Sequence, residues 1–334
     1  MKLLITGANG FLGSEIVRQA IRSGFSVKAS DCQASSKFPA IDFIQADILD
    51  RFSLSHVLDD VDVVCHVAGL AHIFNRSKML SAPFYSINVV GAENVLQSAS
   101  RAGVRNFVLI SSVSVYGGVA RGKAEESECH PESPYADSKW QAERRLAALC
   151  QKEGINLTIL RLATLYGEED PGNVVRLIRA IDRRRFVWVG KGKNRKSLLH
   201  REDAARACIA AIKVPISGIN IYNVSAPPCT MADVVSAIAL ALENSVPACQ
   251  IPESFAVNAI KVIKKISFNH RMLSAIQGTL QKWLSDDYYS TDRFYDAFGF
   301  QTKIGLEEGI RREVAWYRNT CSAQTQLPLR LINL

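Results

Sequence analysis

Short apolar runs alternate with longer amphipathic stretches along the first half of the chain. The apolar runs are rich in Val, Ile and Leu, which is typical of buried strands, and they cover residues 3–6, 26–30, 61–67, 107–111 and 157–160. Apolar positions recur at helical spacing over residues 13–23, 85–102 and 135–153. Strands that are apolar throughout and separated by helices predict a parallel sheet covered on both faces. The predicted fold class is therefore α/β, with a doubly wound sheet of the Rossmann type.

The pattern loosens after about residue 163, where turn-forming residues and an irregular basic segment follow. An apolar stretch over residues 218–224 is predicted to return to the sheet. We therefore expect a sheet domain of residues 1–163 plus about 197–226. A smaller lobe, of residues about 164–196 plus 227–334, is expected over the carboxyl edge of the sheet, where open α/β folds bind ligands.

Composition narrows the class of protein. Hydrophobic residues make up 48% of the chain and charged residues 22%, which is ordinary for a soluble protein. Each apolar run is shorter than the roughly 18 to 20 residues of a membrane-spanning helix, so no integral membrane segment is predicted. The eight cysteines are scattered singly, without metal-ligand spacing. We interpret them as reduced thiols of a cytoplasmic protein and predict no metal site.

The net charge of +8 is unevenly distributed. Residues 1–150 carry equal numbers of acidic and basic side chains, so the whole excess lies in residues 151–334. A one-sided positive field attracts an anion, either a polyanion or a small phosphorylated ligand. The basic half has neither a helix-turn-helix pattern nor basic residues interleaved with aromatics, so nucleic acid is not the expected partner.

A glycine-rich turn follows the first predicted strand. Gly7 and Gly10 allow a tight turn and close approach to a diphosphate, and Gly13 allows the following helix to pack closely on the strand. Asp31 ends the second predicted strand at the spacing expected for a carboxylate that binds an adenosine ribose. Because a carboxylate there repels a 2′-phosphate, NAD is favoured over NADP as the cofactor. A carboxylate in a solvated loop is the alternative for Asp31.

A second motif predicts acid/base chemistry. Tyr135 and Lys139 are four residues apart in a predicted helix, so they share one face. An ammonium close to a phenol stabilises the phenolate, and we expect it to lower the tyrosine pKa towards the range of a general base. Ser111 and Ser112 end the preceding predicted strand and could orient a substrate alcohol.

Taken together, these motifs resemble the extended short-chain dehydrogenase/reductases, and in particular their nucleotide-sugar epimerase/dehydratase branch. The resemblance rests on six segments in family order, namely 6–13, 65–69 (Cys-His-Val-Ala-Gly), 88–91, 111–117, 135–139 and 161–167, and it resumes at 298–300, 306–309 and 316–317. It implies that Tyr135 is the acid/base, that Lys139 binds the nicotinamide ribose, and that Ser112 hydrogen-bonds the reacting oxygen. It further implies a set of residues around NAD, which comprises Gly7, Asn9, Gly10, Phe11, Leu12, Gly13, Asp31, Asp47, Ile48, Val67, Ala68, Gly69, Ser111, Tyr135, Lys139 and Leu162.

The resemblance also implies a substrate, a nucleoside-diphosphate sugar that is expected to carry UDP. The residues expected to bind it are Ser112, Thr164, Asn173, Val174, Trp188, Lys196 and Arg293. The family usually has Arg where Lys196 stands, and Arg195 could compensate for the change. Trp188 is either a core residue or a neighbour of the base.

Family dehydratases place Asp-Glu directly after the catalytic Ser, whereas Val113 and Ser114 stand there in this chain. Elimination is therefore disfavoured, and redox chemistry at carbon 4 of the sugar is expected. The predicted reaction is 4-epimerisation, with 4-keto reduction or 4-hydroxyl oxidation as an alternative that uses the same residues. A reductase of hydrophobic alcohols and a non-catalytic dinucleotide-sensing regulator are further alternatives. The resemblance implies a homodimer through the helices that begin near Tyr85 and Tyr135.

Overall fold

The fold is described from a computed structural model, which covers residues 1–71, 81–252 and 284–325. The chain divides into two compact units. The first contains Met1–Leu165, Leu199–Ala226 and Tyr289–Lys303, and the second contains the described residues of Tyr166–Leu198, Pro227–Tyr288 and Ile304–Leu334. Residues 289–303 thus belong to the first unit, whereas the sequence analysis had placed them in the C-terminal lobe.

The described secondary structure follows the predicted alternation. The strands are, in chain order, β1 (Lys2–Thr6), β2 (Ser26–Asp31), β3 (Asp42–Gln45), β4 (Val63–His66), β5 (Asn106–Ser112), β6 (Ala120–Lys123), β7 (Asn156–Leu162), β8 (Thr164–Tyr166), β9 (Trp188–Val189), β10 (Arg195–Lys196), β11 (Leu198–His200), β12 (Ile219–Val224), β13 (Cys229–Thr230), β14 (Gln250–Ile251) and β15 (Asp287–Tyr289). The α-helices are α1 (Phe11–Arg22), α2 (Ser81–Tyr85), α3 (Ala92–Arg101), α4 (Pro134–Glu153), α5 (Asn173–Asp182), α6 (Arg201–Lys213), α7 (Met231–Ala241), α8 (Asp292–Phe298) and α9 (Leu306–Thr325).

A parallel sheet forms the centre of the first unit. Seven strands pair in the order β3-β2-β1-β4-β5-β7-β12, and every pairing is parallel. The chain moves outwards from β1 in one direction and from β4 in the other, so the strand order reverses between these two strands. Such a reversal opens a crevice at the carboxyl ends of the strands, where α/β folds of this type bind ligands. The predicted α/β class and Rossmann-type sheet are confirmed.

Apolar side chains cover the sheet on both faces, as the continuous apolar strands predict. On one face, Ile16 of α1 and Cys208 of α6 pack with strand residues and with Phe294 of α8. On the other face, Leu96 of α3 and Leu146 of α4 pack against the sheet. The strands that carry the candidate site are therefore held between two helical layers.

Two local features of the first unit depend on backbone geometry. The predicted helix over residues 85–102 is a π-helix from Ser86 to Gly91 followed by α3, a form often found at functional sites. Helix α4 begins after Ser133, whose hydroxyl accepts a hydrogen bond from Ala136 N at 3.1 Å, and it ends at Gly154 in the left-handed conformation. These caps fix both ends of the helix that carries Tyr135.

The second unit has its own apolar core, in which α5, α7 and α9 pack together. Ile178 of α5, Ile238 of α7 and Ile310 of α9 are fully buried in it. Three short strand pairings accompany the helices: β10 with β13, β10 with β15, and β9 with β14. Across the described parts of both units, none of the helices is long and apolar enough to cross a lipid bilayer.

Candidate active site

The glycine turn between β1 and α1 leaves no room for side chains. Gly7 has a φ of +69°, and a Cβ added there would lie 2.7 Å from the Ala68 Cα. A Cβ on Gly13 would lie 2.0 Å from the Gly7 carbonyl oxygen, and the Gly10 N–H donates to that same oxygen at 3.0 Å. The first turn of α1, which contains Phe11 and Leu12, has no acidic side chain. The backbone N–H groups at the start of α1 are thus in a field that favours a diphosphate.

Asp31, the carboxylate predicted to bind a ribose, is hydrogen-bonded to the backbone of this turn. Asp31 ends β2, and its Oδ2 accepts a hydrogen bond from Asn9 N at 3.0 Å. The Asn9 side chain donates to Ser35 O and accepts from Lys37 N, so it fixes the loop that follows β2. Asp31 and Asn9 are therefore held together beside the glycine turn.

The crevice between β1 and β4 brings the glycine turn close to α4. Thr6 accepts hydrogen bonds from Val67 N at 3.2 Å and Ala68 N at 3.3 Å, which fixes the turn after β4. A Cβ on the next residue, Gly69, would lie 3.3 Å from the Lys139 Nζ. The glycine turn, the turn after β4 and the start of α4 are thus close in space, because Gly7 packs against Ala68 and Gly69 faces Lys139.

Asp47 and Ile48 follow β3. Asp47 is exposed, and its Oδ1 accepts a hydrogen bond from Leu49 N at 2.9 Å. Ile48 packs so closely on Gly91 of the π-helix that a Cβ there would lie 2.5 Å from it, and its carbonyl oxygen accepts from Asn94. The exposed carboxylate and the packed isoleucine suit the rim of an adenine site.

Ser112 ends β5, and Tyr135 lies in the first turn of α4. Burial raises the pKa of the Tyr135 phenol above its ordinary value of 10, and the Ser112 side chain opposes this effect only in part. The expectation that Lys139 would lower this pKa in the chain alone was wrong, because desolvation of the phenol dominates. Tyr135 therefore carries its proton at neutral pH until other groups stabilise the phenolate.

Lys139 lies in the protein interior, 8% exposed. Its Nζ donates to Ile110 O of β5 at 2.9 Å, and burial lowers its pKa to about 8 against the opposing effect of Glu143. His66 is also buried, hydrogen-bonded through Nδ1 to the Thr6 hydroxyl at 2.8 Å. Burial and then the Lys139 charge lower the pKa of His66 to about 3, so His66 is neutral here. Lys139 remains mostly charged at neutral pH.

Two polar groups at the site were not identified as site residues by the sequence analysis. Asn88 of the π-helix accepts from Leu70 N at 2.7 Å and donates to Leu70 O and to the Ser138 hydroxyl, so it joins the cofactor turn to α4. Glu143 lies one helical turn beyond Lys139 and pairs with Arg161 of β7 through a 2.7 Å contact. Asn88 could have been identified as a polar residue inside an apolar helix. Glu143 could have been identified through its partner Arg161, an arginine inside an apolar strand.

Three further predicted residues lie at the ends of the neighbouring strands. Ser111 is buried and donates its hydroxyl to Glu143, which directs it into the protein interior. Leu162 is buried at the end of β7, and Thr164 in β8 is partly exposed. The Ser112 hydroxyl also accepts from Ser114 N at 3.2 Å, and Val113 is buried, so neither Val113 nor Ser114 provides an ionisable group here.

The predicted substrate residues of the second unit have diverse surroundings. Asn173 is exposed at the start of α5, whereas Val174 is buried in the core. Trp188 packs against Phe186 and donates its indole N–H to Pro247 O at 2.8 Å, which matches the core alternative for this residue. The Lys196 ammonium donates to Ser285 O at 2.9 Å.

Arg293 lies on α8, in the first unit. Its guanidinium forms an ion pair with Glu126 at 3.0 Å and lies over the Tyr222 ring. The basic stretch 257–284 falls almost wholly outside the described residues. Within the residues that are described, no group of acidic, His and Cys side chains has the arrangement of a metal site.

A family comparison covers most of the first unit. The profile of the NAD dependent epimerase/dehydratase family matches residues 3–225. The match spans the glycine turn, Ser112, Tyr135 and Lys139.

Whole-chain comparisons agree with the family match. The chain is 29% identical, over 94% of both chains, to N-acetyl-alpha-D-glucosaminyl-diphospho-ditrans,octacis-undecaprenol 4-epimerase of Escherichia coli O157:H7. It is 27% identical to a dTDP-glucose 4,6-dehydratase of an Actinoplanes species, over 95% of this chain and 98% of the relative. The solved structure of MoeE5 in complex with UDP-glucuronic acid and NAD superposes with a TM-score of 0.77 at 24% identity, and the alignment covers 96% of this chain and all of MoeE5. This last likeness shows the fold.

Proposed function

This chain belongs to the NAD dependent epimerase/dehydratase family, and from that premise we propose that it performs NAD-dependent redox chemistry at carbon 4 of a nucleoside-diphosphate sugar, with 4-epimerisation of a UDP-hexose as the reaction. The observation that carries the proposal is the grouping of Ser112, Tyr135 and Lys139 beside the glycine turn. A regulator that only senses a dinucleotide has no need of a buried phenol near a serine hydroxyl, followed one helical turn later by a buried ammonium.

The residues around the crevice fit NAD. Because Gly7 and Gly13 carry no Cβ, the turn packs tightly against Ala68 and against its own backbone, and the start of α1 that follows it suits a diphosphate. Asp31 suits an unmodified ribose and repels a 2′-phosphate. When bound, NAD supplies the hydride acceptor for oxidation of the sugar alcohol.

The chain's own residues supply the proton chemistry. Tyr135 takes the proton of the sugar hydroxyl and returns it when the ketone is reduced, while Ser112 orients the reacting oxygen. Lys139 binds the nicotinamide ribose, and its positive charge stabilises the phenolate form of Tyr135. For epimerisation the keto sugar must turn and be reduced on its other face.

The identity of residues 113 and 114 favours epimerisation over 4,6-dehydration. Elimination of water needs a further acid and base, and Val113 and Ser114 supply neither. The E. coli relative is a 4-epimerase, which supports the same reaction here. The Actinoplanes relative is a 4,6-dehydratase, so the assay must also be able to detect elimination.

Product analysis with catalytic NAD tests the proposal. UDP-hexoses should equilibrate with their 4-epimers without net NADH formation, as followed by NMR of the sugar and by NADH absorbance. Stoichiometric NADH or a stable 4-keto sugar would instead support the dehydrogenase or reductase alternative, and a 4-keto-6-deoxy sugar would support dehydration. The E. coli relative acts, by its name, on N-acetylglucosamine linked to a polyprenyl diphosphate. The assay is therefore repeated with that compound in place of the UDP-hexose.

The variant Tyr135→Phe tests catalysis directly. Loss of a general acid/base costs about 100- to 10,000-fold in rate, and we expect kcat to fall within that range while NAD affinity changes little. Turnover unchanged in Tyr135→Phe would contradict the assignment and favour a non-catalytic regulator.

Assembly and location are part of the same proposal. We propose a cytoplasmic homodimer formed through the helical regions that begin near Tyr85 and Tyr135. Sedimentation equilibrium of the purified chain should give twice the 36.8 kDa of one chain, and a monomer at all concentrations would contradict the dimer.

A further inference from the structure

A buried network of polar side chains joins the two elements that carry the proposed catalytic residues. Glu143 of α4 is 3% exposed and Arg161 of β7 is 4% exposed. The guanidinium donates to both carboxylate oxygens, from Nε at 3.1 and 3.2 Å and from Nη2 at 2.7 Å. Such bidentate pairs are strong and directional, and a buried one is costly to break because one charge remains unpaired.

The network extends from this pair to both sides. Glu143 also accepts the hydroxyl of Ser111, the residue before Ser112 on β5. Arg161 donates to the Tyr116 hydroxyl at 2.8 Å, and Tyr116 donates to the Asn223 side chain of β12 at 2.8 Å. Glu143 therefore ties α4, which carries Tyr135 and Lys139, to the end of β5, which carries Ser112.

Glu143 is also the carboxylate that opposes the effect of burial on Lys139. The groups around the Lys139 ammonium are Ile110 O of β5, Glu143 of α4, Asn88 of the π-helix and His66 of β4, and Tyr135 lies one turn earlier on α4. His66 and Tyr135 are neutral at pH 7, and Asn88 carries no charge. Glu143 is in turn paired with the Arg161 guanidinium inside the protein.

We propose that Glu143, paired with Arg161, is a positioning residue of the reaction that keeps the Lys139 ammonium charged and holds the end of β5, with Ser112, against α4. This inference rests on the proposed function, because it assigns Glu143 a role in the same active site. It also makes a claim about Lys139 that is measurable without any sugar substrate.

The first measurement is the titration of Lys139 in protein labelled with carbon-13 at the lysine side chains. The variant Lys139→Arg assigns its signal. An opposite charge at close range shifts a pKa by about one to three units, so the Lys139 titration should move down by at least about one unit in Glu143→Gln. The control is Glu153→Gln, the same substitution at the exposed end of α4, and it should leave the titration unchanged.

The second measurement is the pH profile of turnover. If charged Lys139 is needed, the alkaline limb of kcat should move to lower pH in Glu143→Gln by the same amount as the titration. An unchanged titration and an unchanged alkaline limb, with activity merely lowered at every pH, would overturn the proposal and leave Glu143 a structural residue.

The double variant Glu143→Gln/Arg161→Met guards against misfolding. It removes both buried charges, a change that folded proteins often tolerate, and the Lys139 titration should still move down. A titration equal to that of the parent in the folded double variant would overturn the proposal. If the titration moves as expected but no sugar is turned over by the parent protein, the electrostatic role of Glu143 is supported and 4-epimerisation is contradicted.

Discussion

Replacing Glu313 by Gln should stabilise the second unit at neutral and alkaline pH. The Glu313 side chain on α9 is fully buried, and its Oε2 accepts a hydrogen bond from Gly167 N at 2.9 Å. Asp170 lies beside it, and its carboxylate accepts from Gly172 N at 2.6 Å and Val175 N at 3.2 Å at the start of α5. Burial and the neighbouring Asp170 charge raise the pKa of Glu313 from 4.5 to about 9. The native chain thus holds a proton on Glu313 beside the Asp170 carboxylate.

This raised pKa makes stability depend on pH. Between pH 4.5 and about 9 the unfolded chain loses the proton and the native chain keeps it, so the free energy of unfolding falls as the pH rises. The slope is about 1.4 kcal/mol per pH unit for one proton, which amounts to about 3 kcal/mol between the unfolded pKa and neutral pH. In Glu313→Gln, the new side-chain amide would keep the acceptor for Gly167 N and donate its N–H to Asp170 without a proton to lose. The variant should therefore gain about 3 kcal/mol over the parent near neutral pH and little at acidic pH.

Urea unfolding at a series of pH values measures this difference. Trp188 and Trp316 lie in the second unit, whereas Trp140 lies in the first. The measurement is therefore made in a Trp140→Phe background, in which tryptophan fluorescence reports unfolding of the second unit. The control is Glu307→Gln on the same helix, where the side chain is exposed and no gain is expected. If the parent and Glu313→Gln unfold with free energies that run parallel from about pH 5 to pH 9, the assignment of a proton to Glu313 is refuted.

Two remaining predictions concern the glycine turn and cofactor choice. In Gly13→Ala, the new methyl would lie 2.0 Å from the Gly7 carbonyl oxygen. We expect the overpacking to destabilise the fold by about 1 to 3 kcal/mol and to abolish NAD binding, as measured by calorimetry. The control Gly305→Ala, where the added methyl meets open space, should bind NAD normally. In Asp31→Ala, removal of the carboxylate should reduce the preference for NAD over NADP by about tenfold or more, which corresponds to about 1.4 kcal/mol. An unchanged ratio of the two dissociation constants would remove Asp31 from the ribose site.

The sheet and its covering helices could be predicted because burial on both faces imposes continuous apolar strands. Strand β7, for example, was predicted over 157–160 and spans Asn156–Leu162. The π-helix at Ser86–Gly91 could not be predicted, because its signal is one polar residue, Asn88, whose partners lie at Leu70 and Ser138. A hydrogen bond between distant residues leaves no periodic pattern in the sequence.

The same limit applies to the predicted substrate residues. The family resemblance implied Lys196 and Arg293, and each has a partner far along the chain, Ser285 O for Lys196 and Glu126 for Arg293. The glycine turn was easier to predict because its close backbone packing requires residues without a Cβ. Gly7 and Gly13 are required by backbone contacts a few residues away and by one neighbouring strand end.

For Tyr135 and Lys139, the sequence spacing predicts which helix face the two side chains share, but it does not predict their pKa values. The i to i+4 spacing places both side chains on one face of α4, but it contains no information on how far either is removed from water. Burial raises the pKa of Tyr135 and lowers that of Lys139 to about 8, so desolvation alone favours two neutral groups. The charge on Lys139 at neutral pH then depends on a carboxylate that the motif does not include. The acid/base function proposed here therefore requires Glu143 and Arg161 as well as the tyrosine and lysine, and a chain with the Tyr-x-x-x-Lys motif but no buried carboxylate one turn further along should have a lower alkaline limit of activity.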